Sequence, residues 1–123
     1  LWKMNNDKRA CMAYICGVIL NVSSSYSSVY DFVRGEHYYY QKRTLVSGNR
    51  IQIYDYKRRG YIQGRLPNFY DYVSGFYILI KVERGKFKGY DYESGAYYMG
   101  EVRGNEIRIY DYEKSDYFRY KIY

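Results

Sequence analysis

Residues 107–113 read Ile107-Arg108-Ile109-Tyr110-Asp111-Tyr112-Glu113, and this stretch decides the fold. On an extended chain Ile107 and Ile109 share one side, and Arg108, Tyr110 and Tyr112 share the other. A period of two with one aliphatic face is the pattern of a half-buried antiparallel strand. Ile51-Gln52-Ile53-Tyr54-Asp55-Tyr56 repeats it. Ile78, Ile80 and Val82 form the aliphatic face of segment 76–83.

The Tyr-Asp-Tyr marker recurs along the chain. It begins at Tyr54, Tyr70, Tyr90 and Tyr110, with a Tyr-Asp-Phe version at Tyr30, so the intervals are 24, 16, 20 and 20 residues. Self-similarity of this kind identifies a repeat architecture. Asp71-Tyr72-Val73-Ser74-Gly75-Phe76-Tyr77 overlays on Asp91-Tyr92-Glu93-Ser94-Gly95-Ala96-Tyr97. Segment 111–117 is read onto both with Asp116 in the glycine place. A second punctuation falls midway, at Ser47-Gly48-Asn49, Arg84-Gly85-Lys86 and Arg103-Gly104-Asn105. Each repeat therefore holds two short extended runs and two turns, which is a β-hairpin. Gly75 and Gly95 are assigned the left-handed position of the marker turn. Asp55, Asp71, Asp91 and Asp111 are assigned as turn residues whose carboxylates accept local backbone N–H bonds.

One hairpin alone is marginal in water, so neighbours must bury their aliphatic faces on each other. The expected fold is all-β, with about four tandem hairpin repeats of roughly 20 residues around a pseudo-symmetric axis. The last run, 117–123, has no returning strand. Pairing it with an early strand such as 18–22 closes a ring and hides the sheet edges. An open array with exposed ends is the alternative.

The totals agree with one modest domain of 123 residues. A hydrophobic fraction of 47% stands beside a mean hydropathy of −0.64. The 21 tyrosines reconcile the two, since each carries an apolar ring and a hydroxyl. The net charge of +7 allows contact with nucleic acid, acidic polysaccharide or anionic membrane, and selects none of them. Cys11 and Cys16 match neither a disulfide framework nor a metal-ligand spacing, and read as buried free thiols.

The chain divides at the Ser-rich stretch into an N-terminal segment, 1–25, and the repeat domain, 26–123. Lys8 and Arg9 precede an apolar run, Ala10 to Leu20, that is too short for a membrane span. The run reads either as a signal-like segment, pointing to export or the cell surface, or as a buried first strand. It is also the one place where a short helix fits. A cytoplasmic location also stays open.

Two resemblances follow from the repeat. Ile109-Tyr110-Asp111-Tyr112-Glu113, Gly89-Tyr90-Asp91-Tyr92-Glu93-Ser94-Gly95 and the period of about 20 residues resemble the four-fold beta-flower domains of bacteria. That likeness covers residues 30–123 and implies an all-β, non-enzymatic module. Tyr-Asp followed by Gly three to four residues on is also similar to the YD repeats of Rhs and teneurin proteins. Their Gly-Arg-Leu element has one counterpart, Gly64-Arg65-Leu66, out of phase with the marker.

Chemistry-bearing groups are few. A symmetric ring could gather the repeated aspartates around a cation, but each already has a local turn to cap. His37, in Glu36-His37-Tyr38-Tyr39-Tyr40, has no triad or zinc set around it. Gly85, Gly89 and Gly95 follow the turn spacing, and no lysine–hydroxyl pair follows them as a P-loop requires. No catalytic site, cofactor or metal is expected. Tyr54, Tyr56, Tyr72, Tyr92, Tyr110 and Tyr112, with Tyr70 and Tyr90, recur at fixed places and chiefly cover the sheet. With Arg58, Arg59 and Arg108 beside them they are also the candidate binding residues. Two functions follow: a structural or self-associating protein, or a binding module for glycan, anionic polymer or membrane surface. No specific nucleic-acid motif is present.

Overall fold

The computed structural model describes residues 4–21, 25–44 and 50–123. One helix, α1 (Asn6–Leu20), precedes ten strands: β1 (Ser28–Asp31), β2 (Glu36–Thr44), β3 (Ile51–Asp55), β4 (Gly60–Arg65), β5 (Asn68–Asp71), β6 (Phe76–Glu83), β7 (Lys86–Asp91), β8 (Ala96–Arg103), β9 (Glu106–Asp111) and β10 (Asp116–Ile122). Each strand pairs antiparallel with its neighbour in sequence, and β1 pairs with β10 to close the barrel. The all-β hairpin architecture, closed by N- and C-terminal strands, is therefore the fold. The five marker turns close five hairpins, because the Tyr30 copy also ends a strand that folds back.

The closing strand differs from the one expected. Val29 faces Ile122, Tyr30 faces Lys121 and Asp31 faces Tyr120, so the last strand is completed by 28–31 and not by 18–22. Residues 18–20 are helical, and Val22 lies outside the described residues.

All five marker turns lie at one end of the barrel and the short connections at the other. Gly75 (φ +78°) and Gly95 (φ +72°) adopt the left-handed conformation. In the last copy it is Ser115, with φ +52°, that occupies this position, one residue before the expected Asp116. At the opposite end Arg84 and Gly85 are both left-handed, as a two-residue type I′ loop requires. The Ser47-Gly48-Asn49 turn lies outside the described residues.

The helix runs inside the barrel. Its N-terminus sits among the marker turns, and Asn21 at the far end donates from Nδ2 to the Gly104 carbonyl at 3.2 Å. Eight strands already enclose about as much space as side chains can fill, so ten need a further filler. The residues from Lys8 to Val18 are all buried. A helix surrounded by core on every side has no wet face and hence no amphipathic stripe. This is why the run lacks the usual helical signature, although Asn5 caps it by accepting the Lys8 N–H at 2.7 Å. Gly17 keeps the helix close to the wall: a Cβ there would stand 2.7 Å from Ile122 Cδ1. Cys11 and Cys16 are free and buried, and burial pushes both thiols well above their ordinary range.

Candidate binding surface

Strand alternation gives the marker two faces. The aspartate shares the inner face with the isoleucines, and its tyrosine neighbours point outward. Asp31, Asp55, Asp71, Asp91 and Asp111 are at most 1% exposed. Each Oδ1 accepts the N–H two residues on, from Val33, Lys57, Val73, Glu93 and Glu113 respectively, at 2.9–3.3 Å.

Three of the carboxylates, Asp71, Asp91 and Asp111, also meet the first turn of the helix. Lys8 Nζ lies 2.7 Å from Asp91 Oδ1, 3.0 Å from Glu93 Oε1 and 3.7 Å from Asp71 Oδ2. Arg9 donates from Nη2 and Nε to Asp111 Oδ2 at 2.9 and 3.3 Å, and stacks 3.9 Å from the Phe118 ring centre. Arg58 bridges Asp55 Oδ2 and Asp71 Oδ2 at 2.7 and 2.8 Å. The helix dipole opposes cations in a first turn, and the carboxylates offset that repulsion. Among the described residues, no group of acids, histidines and cysteines is arranged to hold a metal ion. The cations that serve this ring are side chains of the protein itself.

The outer face is an aromatic belt. Each hairpin places a half-buried tyrosine (Tyr30, Tyr54, Tyr70, Tyr90 or Tyr110) between two exposed partners. One partner follows the aspartate: Phe32, Tyr56, Tyr72, Tyr92 or Tyr112. The other lies directly across the hairpin: His37, Tyr61, Tyr77, Tyr97 or Tyr117. Ring centres within each cluster are 4.6–5.2 Å apart, mostly edge to face. That geometry suits the quadrupoles of aromatic rings.

Of the candidate binding residues, Tyr54 and Tyr110 are cluster centres, while Tyr56, Tyr72, Tyr92 and Tyr112 are arms left 51–56% exposed. Arg59 is exposed on its turn, and Arg108 is exposed 5.6 Å from the Tyr117 ring centre. Arg58 does not belong with them. The tight turn 56–59 directs it inward, and its side chain is only 7% exposed. Burial alone would pull its pKa down, but the charges around it, Asp71 and Asp55 among them, hold it above the ordinary guanidinium value.

Two groups of residues escaped the reading of the sequence. The cross-hairpin arms each lie seven residues after their cluster centre, a spacing visible at 54/61, 70/77, 90/97 and 110/117. Lys8 and Arg9 looked like the head of an apolar run. The missed signal was that alternation places Asp111 on the face of Ile107 and Ile109, where a carboxylate needs a buried partner.

Removing the five ring aspartates and their three cations from the totals leaves 17 basic and eight acidic side chains in the rest of the sequence. The exterior is thus more basic than the net charge suggests. No helix among the described residues is long and apolar enough to cross a membrane. No protein-family model, curated protein or solved structure matches the chain. The class of protein rests on the geometry: a closed ten-stranded antiparallel barrel around a buried helix, with an aromatic belt outside.

Proposed function

We propose that the protein is a binding module for acidic polysaccharide, with the tyrosine belt as its contact surface. The belt itself carries this reading. Aromatic rings on this scale are seldom left exposed, and contiguous apolar surface marks a site of interaction. Packing the barrel uses the inner face of each strand, so it does not account for the outer arms. The apolar C–H face of a sugar ring matches a tyrosine ring, and the tyrosine hydroxyl and nearby Arg or Lys match its polar edge. The basic exterior favours an acidic chain over a neutral one.

The structural, self-associating alternative rests on the Tyr-rich repeats and on an unpaired last strand. That strand, β10, pairs with β9 on one edge and β1 on the other, which removes the second of these supports. An anionic membrane is the second reading, because the marker-turn tips carry exposed Phe32, Val33, Val73 and Phe76 beside Arg34, Lys57, Arg59 and Lys114, and the vesicles below test it.

Calorimetry against polygalacturonate, dextran, a single-stranded oligonucleotide and anionic vesicles tests the reading. Binding to polygalacturonate is expected, weakened at least tenfold by the combined change Tyr56→Ala, Tyr92→Ala and Tyr112→Ala. Binding to the oligonucleotide or vesicles without the polysaccharide refutes it. A molar mass that climbs with concentration revives self-association.

A further inference from the structure

The repeat is broken in one sector of the outer wall, and the break has the form of an anion site. Strands β6 and β7 place Lys81 directly opposite Lys88. The same register position in β8–β9 holds Glu101 against Arg108, in β4–β5 Arg65 against Asn68, and in β2–β3 Arg43 against Gln52. Three strand pairs thus set a cation against an acid or a neutral amide, whereas β6–β7 sets cation against cation; Arg108 also faces Arg119 across β9–β10, but there Glu106 pairs with Arg119 at 3.1 Å. Like charges directly across a strand pair destabilise it. Neither lysine has a carboxylate within 4.0 Å among the described residues. Both lysines are exposed, so water and salt screen the repulsion, but no carboxylate among the described residues neutralises it, which leaves the pair open to an anion from outside.

The same sector has its own floor. One step along the strands, the residue facing the cluster tyrosine is Leu79 in β6, where β2 and β4 carry Gln41 and Gln63. Met99 faces Lys88 from β8, and its sulfur accepts the Tyr112 hydroxyl hydrogen bond at 3.0 Å. Leu79, Tyr90, Met99 and Tyr112 together with the two lysines line an open groove of about 500 Å³. Its lining is mainly apolar, with the two ammonium groups as its charged elements.

We infer that this groove is the specificity subsite of the belt and takes one acidic sugar residue of a polysaccharide. The carboxylate seats between Lys81 and Lys88, and the ring lies on the floor formed by Tyr90, Met99 and Leu79. A mainly apolar lining with a few placed polar or charged groups is the usual composition of a small-ligand cleft. The inference rests on the polysaccharide reading and narrows it to one sector of the barrel.

The test is binding of polygalacturonate at fixed salt by the double variant Lys81→Gln, Lys88→Gln, beside Arg43→Gln as the repeat-equivalent control and the belt triple variant above. The double variant should lose at least tenfold in affinity and the control less than twofold. Its salt dependence should fall by about two counterions' worth of slope. Because the substitution removes a repulsion, its melting temperature should match or exceed that of the parent, so lost binding is not lost folding. Full binding by the double variant, with weakened binding by the belt variant, overturns the subsite and leaves the belt reading in place. Equal losses in the double variant and the control also overturn it, since they mean diffuse attraction. Absence of polysaccharide binding by the parent protein overturns both.

Discussion

The aromatic belt outside the barrel repeats itself five times, but on the inside no two hairpins are treated alike. The same tripeptide makes both surfaces. Outside, each tyrosine meets its two partners in nearly the same geometry, because all the contacts lie within one hairpin. Inside, the five aspartates face a single helix that has no five-fold symmetry. Lys8 reaches Asp91 and Asp71, Arg9 takes Asp111, and Arg58 must come from the wall to serve Asp55 and Asp71. A repeat can build a symmetric surface from local contacts. It cannot build a symmetric interior around an asymmetric filler, so the interior is settled by individual charges.

The comparison breaks most severely if an interior cation is removed. Arg9→Met strands a buried carboxylate, and such losses cost roughly 3–5 kcal/mol. Urea denaturation should show this, and adding Asp111→Asn should recover part of it. An unchanged midpoint for Arg9→Met would mean the ring is wet and does not lock the helix.

Adjacent arginines give the next contrast. Arg58→Ala should cost about 3 kcal/mol, for the same reason. Arg59→Ala, one residue away and exposed, should stay within about 0.5 kcal/mol. Similar values for the two would contradict the inward turn of Arg58.

Alkaline pH probes the buried interior. Burial raises the thiols of Cys11 and Cys16 and the hydroxyls of Tyr14, Tyr40, Tyr98 and Tyr120 above their ordinary values. The folded state therefore holds protons that the unfolded state releases first. Stability is complete below the ordinary thiol and phenol range and falls as pH climbs through about 8.5–10 and beyond. Circular dichroism against pH should show one cooperative loss on the alkaline side, with both thiols turning reactive to alkylation in that step. Alkylation of the folded protein at neutral pH would refute their burial.

The smallest effect belongs to the belt. Tyr92→Ala removes one edge-to-face contact from an exposed cluster and should cost about 0.5–1.5 kcal/mol. A loss as large as that of Arg9→Met would make the belt part of the scaffold and weaken its reading as a contact surface.

Much of the fold was legible because its causes are local. Alternation at Ile107-Arg108-Ile109 set the strand faces, and Gly75, Gly95 and Gly104 set turns through backbone conformations that other side chains resist. The cross-hairpin arms were legible in principle, since their spacing follows from turn length. Less of the interior was legible. The expected closing strand at 18–22 gives way to Ser28–Asp31, a strand only four residues long.

The amino-acid sequence by itself determined the hairpin, its turn chemistry, and the division of Tyr-Asp-Tyr into an inward acid and outward rings. Those properties depend on neighbours within a few residues. Only the tertiary structure decided that the ring closes through Ser28–Asp31, that the apolar run becomes its central helix, and that Lys8, Arg9 and Arg58 meet the aspartates. Those depend on the width of the closed barrel and, for Lys8 and Arg9, on charges brought together from residues more than 80 positions apart. No local pattern encodes such distances.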